Sequence, residues 1–267
     1  MSVTVSAVTG DPNEAVAALP AISLSDLNSA AALQTRTDRK YILGVAQLSN
    51  LVSTLGSRLA ALDVDGQRSF NYESVYFDTP QLTSFHSAAY KRRKRFKVRT
   101  RSYLDSHMTM VEVKTKTGRG VTVKQRQPHS FLLRRQLNAE AQQFVDSVLD
   151  HQGLTSVLQP VLTTTYGRMT LVDLSDVARL TIDSDLRCTS ATGRVATLEA
   201  HFIVETKSGG TPSVADRQLW ANGIRPVKIS KFGTGMAALD PSLPSNKWNR
   251  TLNRYFRGHP SVSRLSR

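Results

Sequence analysis

Residues 95–116 read RFKVRTRSYLDSHMTMVEVKTK, with apolar and polar side chains alternating along both halves of the stretch. A period of two residues is typical of a β-strand that has one face on an apolar core. The two alternating segments, 95–104 and 107–116, are neighbours in the sequence. A short connection favours antiparallel pairing, so the stretch predicts two paired strands.

The same alternation recurs along most of the chain. It predicts further strands at 34–43, 72–78, 119–127, 162–173, 178–190, 196–208 and 225–230. Apolar residues at helical spacing predict helices at 46–62 and from Ser130 to Leu149, with shorter ones from about Ser25 to Leu33 and at 213–221 and 233–239. We therefore predict one domain of α+β class, with mainly antiparallel strands and helices packed outside them.

Composition narrows the class of partner. The 267 residues include 35 Lys and Arg against 21 Asp and Glu, a formal charge of +14, so we expect an anionic partner such as nucleic acid, phospholipid or a phosphorylated molecule. The single cysteine, Cys188, excludes an intramolecular disulfide and a cysteine-based zinc site. It fits a reducing compartment, and we expect a cytoplasmic location. The sequence has neither a signal-peptide pattern nor an apolar run of about eighteen residues, so we expect no transmembrane segment.

Cations recur on one face of almost every predicted strand. Side chains at i and i+2 share a face, so Arg95, Lys97, Arg99 and Arg101 point the same way. The corresponding positions on the other strands are Arg36, Asp38, Lys40, Glu112, Lys114, Lys124, Arg126, Arg168, Arg179, Asp183, Glu205, Lys207 and Lys228. A solvated outer face also produces alternation. The repetition of cations at matching positions instead favours strands closed into a tunnel-like barrel with a charged lumen.

A lumen lined with cations needs an anion inside it, because unpaired buried charges repel each other and are costly to desolvate. Asp38, Glu112 and Glu205 would then either pair with neighbouring cations or hold a divalent metal through oxygen ligands.

Nine short segments carry a resemblance to a known family. In order and spacing, TDRKYIL, YESVYFDTP, FKVRTRSY, VEVKTK, VKQR, YGRMTL, RLTIDSDL, IVETKS and PVKISKF resemble the VTC-type polyphosphate polymerase domain of the triphosphate tunnel metalloenzyme superfamily. The resemblance covers residues 25–240 and leaves an N-terminal leader at 1–24 and a basic C-terminal tail at 241–267. It implies a phosphotransferase that passes the γ-phosphoryl group of ATP to inorganic polyphosphate with Mn²⁺ or Mg²⁺.

The resemblance also implies roles for individual residues. Glu205 matches the family's metal-binding glutamate, and Glu112 is a second metal candidate. Lys231 matches a lysine close to the transferred phosphate, and the other catalytic candidates are Lys228, Arg99 and Arg101. The predicted substrate-binding residues are Lys40, Arg36, Lys114, Lys124, Arg126, Arg168, Arg179 and Lys207. Asp38 departs from the family, where a glutamate often stands at this position.

Two other functions stay open. A tunnel that binds phosphates would also bind a triphosphate, and water could replace the chain end as acceptor, which would make the protein a triphosphatase. A non-catalytic module could hold polyphosphate, RNA or an acidic partner with the same cations. Nucleic-acid binding usually interleaves aromatic residues with the cations, whereas residues 91–101 contain only Phe96, on the opposite strand face. We therefore expect no specific nucleic-acid partner.

Overall fold

The structure, a computed structural model, describes residues 11–30, 37–118, 121–150, 157–176 and 178–256. Its strands are β1 (Ala21–Ile22), β2 (Thr37–Gly44), β3 (Leu59–Leu62), β4 (Ser69–Asp78), β5 (Arg95–Tyr103), β6 (Met108–Lys116), β7 (Thr122–His129), β8 (Gln159–Asp173), β9 (Ala178–Ser190), β10 (Val195–Thr197) and β11 (His201–Ser208). Its helices are α1 (Pro12–Ala17), α2 (Leu24–Ala30), α3 (Val45–Leu55), α4 (Thr83–Ala89), α5 (Ala139–Asp150), α6 (Val214–Ala221), α7 (Lys231–Leu239) and α8 (Asn249–Tyr255). A 3₁₀ turn, Gly56–Arg58, precedes β3.

The chain divides into two compact units. The first contains the described parts of residues 1–70, together with Gly167–Asp185 and Glu199–Val227. Its strands lie in the order β2, β11, β9, β8, with β3 on β8 and β1 parallel to β3. Tyr41, Leu43 and Val204 pack into an apolar core with residues of α3 and α6. Because side chains alternate along a strand, this packing turns Lys40 and Glu205 to the opposite face.

The second unit contains Asn71–Tyr166, Leu186–Leu198 and the described part of residues 228–267. Its strands lie in the order β8, β4, β5, β6, β7, with β10 beside β9. Val98, Val111 and Val113 pack against Val145 and other residues of α5. This core occupies one face of β5 and β6, so the intervening charged residues all lie on the other face.

The predicted α+β class with mainly antiparallel strands is confirmed, whereas four element predictions are wrong. Residues 225–230 form no strand; Pro226 lacks the N–H that a ladder needs, and the Val227 N–H donates to the Lys40 carbonyl at 2.7 Å. The helix predicted at 46–62 ends at Leu55, because Gly56 turns the chain with φ +40°, and β3 follows. The strand predicted at 196–208 is interrupted before His201 and forms β10 and β11.

The helix predicted from Ser130 begins only at Ala139. Turns occupy the preceding segment, which two ion pairs attach to β4: Arg134 Nε lies 3.2 Å from Glu73 Oε1, and Arg135 Nη2 lies 2.6 Å from Glu73 Oε2. The Asn138 side chain then accepts the Ala141 N–H at 2.9 Å, as expected of a residue that caps a helix. Tertiary ion pairs and a later cap therefore set where α5 starts.

Both predicted flanking segments contain ordered structure. Val16 and Leu19, from the predicted leader, are buried in the core of the first unit. In the second unit, α8 lies within the predicted tail, and Thr251 Oγ1 donates to the Lys228 carbonyl at 3.0 Å. The domain boundaries at residues 25 and 240 stay a prediction. Within the described ranges, the structure contains no helix with the length and apolar character needed to cross a membrane.

Candidate functional site

In the second unit, three cationic side chains surround the carboxylate of Glu112. Arg99 donates to Glu112 Oε2 from Nε at 2.7 Å and from Nη2 at 2.5 Å. Lys124 Nζ donates to Oε1 at 2.5 Å, and Arg101 Nε lies 3.8 Å from Oε2. Strand register explains the Arg99 contact, because Glu112 stands directly opposite Arg99 on β5, whereas Lys124 on β7 stands opposite Lys114 and reaches Glu112 diagonally. We call Glu112, Arg99, Arg101 and Lys124 the Glu112 cluster.

Positive charge is in excess in the Glu112 cluster, since three cations face one carboxylate. The Glu112 side chain is only 3% exposed. Burial alone would raise the pKa of Glu112, but the three neighbouring cations outweigh burial and hold the pKa below its usual range. Glu112 is therefore ionised at neutral pH, and both of its oxygens are occupied by cations. These contacts favour a role in orienting Arg99 and Lys124; the predicted metal role of Glu112 stays a prediction.

Arg101 offers a donor that protein groups do not use. Its buried Nε has no hydrogen-bond acceptor within the part of the chain that the structure describes. Leaving a buried donor without an acceptor costs about 1–3 kcal/mol. The nearest carboxylate oxygen is Glu112 Oε2, 3.8 Å from Nε, so the Arg101 charge adds to the positive excess around Glu112.

Lys231 lies at the first turn of α7 in the same unit. Its Nζ is 4.1 Å from the centroid of the Tyr166 ring. Ser230 caps α7 by accepting the Gly233 N–H at 3.2 Å, and Lys97 Nζ lies 3.3 Å from Ser230 Oγ, which joins the start of α7 to β5. The positive end of the helix dipole adds to the Lys231 charge, so an anion is favoured at this position.

The first unit carries a second charged group centred on Glu205. Lys40 Nζ lies 3.3 Å from Glu205 Oε2, and Lys207 Nζ lies 3.4 Å from Oε1. Nearby, Arg168 donates two hydrogen bonds to the Asp183 carboxylate, one from Nε at 2.5 Å and one from Nη2 at 2.9 Å. We call Lys40, Glu205, Lys207, Arg168 and Asp183 the Glu205 cluster.

The charge state of Glu205 follows from these neighbours. Burial would raise the pKa of Glu205, and the Asp183 charge acts in the same direction. The cations Lys40, Lys207 and Arg168 outweigh both effects and lower the pKa from 4.5 to about 2. Glu205 is therefore a carboxylate at neutral pH, which is the form that a divalent cation binds.

Glu205 and Asp183 fit a metal site that a phosphate ligand completes. Among the residues that the structure describes, no three His, Cys, Asp or Glu side chains are grouped closely enough to hold a metal ion. Mg²⁺, however, is commonly bound by one or two carboxylates together with substrate phosphates and water. Asp183 lies on β9, the strand paired with the β11 strand that carries Glu205, so the two carboxylates belong to one charged group.

Several predicted site residues lie beside these clusters rather than in them. Lys114 stands opposite Lys97 and Lys124, and Arg126 is partnered in register with Glu112. Arg179 Nη2 lies 3.3 Å from the Leu27 carbonyl, so the guanidinium contacts α2 of the first unit. Lys228 is exposed and precedes α7, while Arg36 lies outside the described residues.

Asp216 is a buried group that the sequence analysis missed. Its side chain on α6 is fully buried and accepts the hydroxyls of Tyr41 and Thr206, each at 2.7 Å. Burial, together with the Asp216 charge and hydrogen bond, raises the pKa of Tyr41, which keeps its hydroxyl protonated as a donor. Tyr41 follows Lys40 on β2, and Thr206 follows Glu205 on β11. The hydrogen bonds to Asp216 therefore join the two strands that carry Lys40 and Glu205.

With this geometry established, comparison with known proteins identifies the family. The family model described as VTC domain matches residues 35–240, which is most of the chain. The chain belongs to the VTC domain family. A search of curated proteins finds no match for this VTC domain.

This VTC domain is similar to several solved structures. A putative adenylyl cyclase from Hippeastrum, HpAC1, whose description reports a dominant triphosphatase activity, is 15% identical with a TM-score of 0.50, covering 79% of this chain and 98% of its own. A putative adenylate cyclase from Vibrio parahaemolyticus is 10% identical with a TM-score of 0.42, covering 74% and 95%. PH1819 from Pyrococcus horikoshii is 13% identical with a TM-score of 0.39, covering 73% and 91%. The family match and the Hippeastrum likeness confirm the predicted family and the tunnel-like α+β fold class.

Proposed function

We propose that this VTC domain is a metal-dependent polyphosphate polymerase. It transfers the γ-phosphoryl group of ATP to the end of an inorganic polyphosphate chain and releases ADP. The observation that carries the proposal is the excess positive charge of the Glu112 cluster in a chain whose VTC match spans residues 35–240. Three cations around one carboxylate, on three adjacent strands, suit a polyanion better than a neutral ligand.

The Glu112 cluster has the properties that phosphoryl transfer requires. This chemistry asks the protein mainly to align the reacting oxygens and to neutralise developing charge. Glu112 holds the Arg99 guanidinium in place before substrate arrives, and the charge of Arg101 adds to the attraction for phosphate. We propose that Lys124 contributes a point charge and that Lys231 contacts the transferred phosphate. Further phosphate contacts are proposed for Lys114, Arg126 and Lys228.

The Glu205 cluster is proposed to bind the metal. Glu205, with Asp183, would hold Mg²⁺ or Mn²⁺ through carboxylate oxygens. Such an ion would supply Lewis-acid stabilisation of phosphate charge. Lys40 and Lys207 keep Glu205 ionised, and the two contacts from Arg168 keep the Asp183 carboxylate in one orientation. Phosphate contacts in this unit are proposed for Lys40, Lys207, Arg168 and Arg179.

Triphosphate hydrolysis is the second candidate function. The charge excess around Glu112 would stabilise a triphosphate equally well whether the acceptor is a polyphosphate end or water. The polymerase and the hydrolase therefore differ in the acceptor, and the products distinguish them. A protein that binds polyphosphate or RNA without turning over nucleotide would be a non-catalytic module.

One experiment separates these functions. Purified protein is incubated with ATP and either Mn²⁺ or Mg²⁺, and ADP, free phosphate and long-chain polyphosphate are quantified separately. A polymerase yields one polymer-bound phosphate for each ADP, whereas a hydrolase yields one free phosphate for each ADP. Lys231→Ala and Glu205→Gln should each lower turnover by about a hundredfold or more, since each removes a charge aimed at phosphate or metal. Lys94→Ala, at an exposed position, is the matched control and should keep wild-type turnover.

Two results would contradict the polymerase. Free phosphate released without polymer would assign the triphosphatase. Tight polyphosphate binding without nucleotide turnover in either metal would assign the non-catalytic module.

A further inference from the structure

Five cations gather in the second unit at the end of β5 and β6 away from the Tyr103–Met108 turn. Arg95, the first residue of β5, stands directly opposite Lys116, the last residue of β6. Lys247 Nζ donates to the Ala88 carbonyl at 2.8 Å, which fixes this ammonium group beside α4. Lys91 lies beside Lys247, because its backbone N–H donates to the same Ala88 carbonyl at 3.4 Å, and Lys228, whose carbonyl accepts from Thr251 of α8 at 3.0 Å, completes the group. We call Lys91, Arg95, Lys116, Lys228 and Lys247 the rim cluster.

The rim cluster lacks a compensating acid. In the part of the chain that the structure describes, none of the five cations forms an ion pair with a carboxylate. Like charges directly opposite each other on paired strands, as Arg95 and Lys116 are, destabilise a sheet. Burial and then the charges of the other four cations lower the pKa of Lys247. A bound anion would relieve this repulsion.

The rim cluster continues the charged face that carries the Glu112 cluster. Along β5, Arg99, Lys97 and Arg95 follow one another on one face, and their β6 partners are Glu112, Lys114 and Lys116. Each step of two residues covers about 7 Å, so the rim cluster lies about 13 Å along the strands from the Glu112 cluster. Cations of the intermediate row, Lys97 and Lys114, lie between the two clusters. A linear polyanion could therefore contact all three rows, whereas tripolyphosphate is shorter than the separation.

We propose that the rim cluster is a second anion-binding site, which binds an internal segment of inorganic polyphosphate while the end of the same chain lies at the Glu112 cluster. The identity of this ligand rests on the proposed function. The surroundings favour polyphosphate over nucleic acid, because the nearby Trp248 is only 2% exposed and offers no stacking surface. Tyr90 is 59% exposed, but its ring already stacks on His86 with a centroid separation of 5.9 Å.

The proposal predicts a dependence of affinity on chain length. The triple variant Lys91→Gln/Lys116→Gln/Lys247→Gln removes three charges from the rim cluster and retains side chains that can donate hydrogen bonds. Its affinity for long-chain polyphosphate should fall tenfold or more, while its affinity for tripolyphosphate stays within about twofold of wild type. Each lost phosphate contact should also reduce the salt dependence of log affinity by about 0.7, the value for single-stranded polyanions.

Titration calorimetry without ATP or metal measures both affinities. The matched control is Arg187→Gln/Arg194→Gln/Arg217→Gln, which removes the same formal charge from exposed positions outside the rim cluster. Thermal unfolding checks that each variant is folded, and the single Lys116→Gln variant replaces the triple one if that protein does not fold. Tyr90→Ala, titrated with single-stranded RNA, tests for a stacking platform.

Three outcomes would overturn the proposal. The first is unchanged long-chain affinity in the rim variant, and the second is an equal loss for both ligands. The third is RNA binding that is tighter than polyphosphate binding and depends on Tyr90. Because binding is measured without nucleotide turnover, an inactive protein can still satisfy the proposal. Conversely, lost turnover with intact length-dependent binding would contradict only the polymerase.

Discussion

Glu112→Gln tests the charge balance of the Glu112 cluster. Glutamine retains the shape and one acceptor oxygen but leaves Arg99, Arg101 and Lys124 without their carboxylate. Breaking a fully buried ion pair costs about 3–5 kcal/mol. Here the Arg99 and Lys124 side chains are 18% and 43% exposed, so solvent screens part of the repulsion. We expect the free energy of unfolding to fall by about 2–3 kcal/mol.

Urea denaturation measures this loss, and an added anion should reduce it. Tripolyphosphate can supply the missing negative charge, so it should stabilise Glu112→Gln more than it stabilises the wild type, and the difference in unfolding free energy should narrow. A ligand at a hundred times its Kd adds about 2.7 kcal/mol, which is enough to offset the substitution. The control is Glu140→Gln, which changes an exposed carboxylate that accepts from Gln127 at 2.9 Å and should cost no more than about 0.5 kcal/mol.

The pH dependence has a defined sign. The neighbouring cations hold the folded-state pKa of Glu112 below its ordinary value of 4.5, so its charge contributes stability above that pH. The contribution is lost as the pH falls from 4.5 towards the lower folded-state pKa, and the wild type should then approach Glu112→Gln in stability. Two results would refute the argument. One is an equal loss of unfolding free energy in Glu112→Gln and Glu140→Gln. The other is a stability difference between Glu112→Gln and the wild type that stays the same as the pH falls.

Three further predictions concern the buried groups. Asp216→Asn weakens the acceptor of the Tyr41 and Thr206 hydroxyls and should lower the free energy of unfolding in urea by about 2 kcal/mol; an unchanged value would mean that the network contributes no stability. Gly235→Ala should cost about 1–3 kcal/mol, because a Cβ there would lie 2.8 Å from Cys188 Sγ, and a Cys188→Ala change in the same chain should recover part of the loss. Burial raises the pKa of the Cys188 thiol to about 12, so thiol reagents should label it slowly in the native protein and rapidly in urea; rapid native labelling would contradict that burial.

The alternation of apolar and polar residues in the sequence predicted most of the strands. The alternation at 95–104 and 107–116 corresponds to β5 and β6 almost residue by residue, because a strand with one buried face must alternate. Predictions failed where a tertiary contact competed with local pattern. Residues 130–138 have helical spacing of apolar residues, yet two arginines in this segment pair with Glu73 on β4 and keep it in turns. Sequence spacing contains no information about a partner sixty residues away.

The sequence predicted which residues belong to the candidate site, but not which of them contact one another. Alternation placed Arg99 and Glu112 on charged faces, but their pairing depends on the register between β5 and β6. Asp183 was visible on the face of β9 that also carries Arg179, which was the signal for its place in the Glu205 cluster. Asp216 had no comparable signal, because its partner Tyr41 lies 175 residues away in the sequence.

The sequence by itself determined the α+β class, the alternation of charged and apolar faces, the excess of positive charge and membership of the VTC domain family. These properties depend on residue type and on the two-residue period of a strand, which are local. Only the tertiary structure decided that Glu112 pairs with Arg99 and Lys124, that Glu205 lies between two lysines, and that no carboxylate of the described residues pairs with the rim cluster. Such properties depend on distances between strands remote in sequence, and electrostatic interaction varies with distance and burial rather than with sequence position.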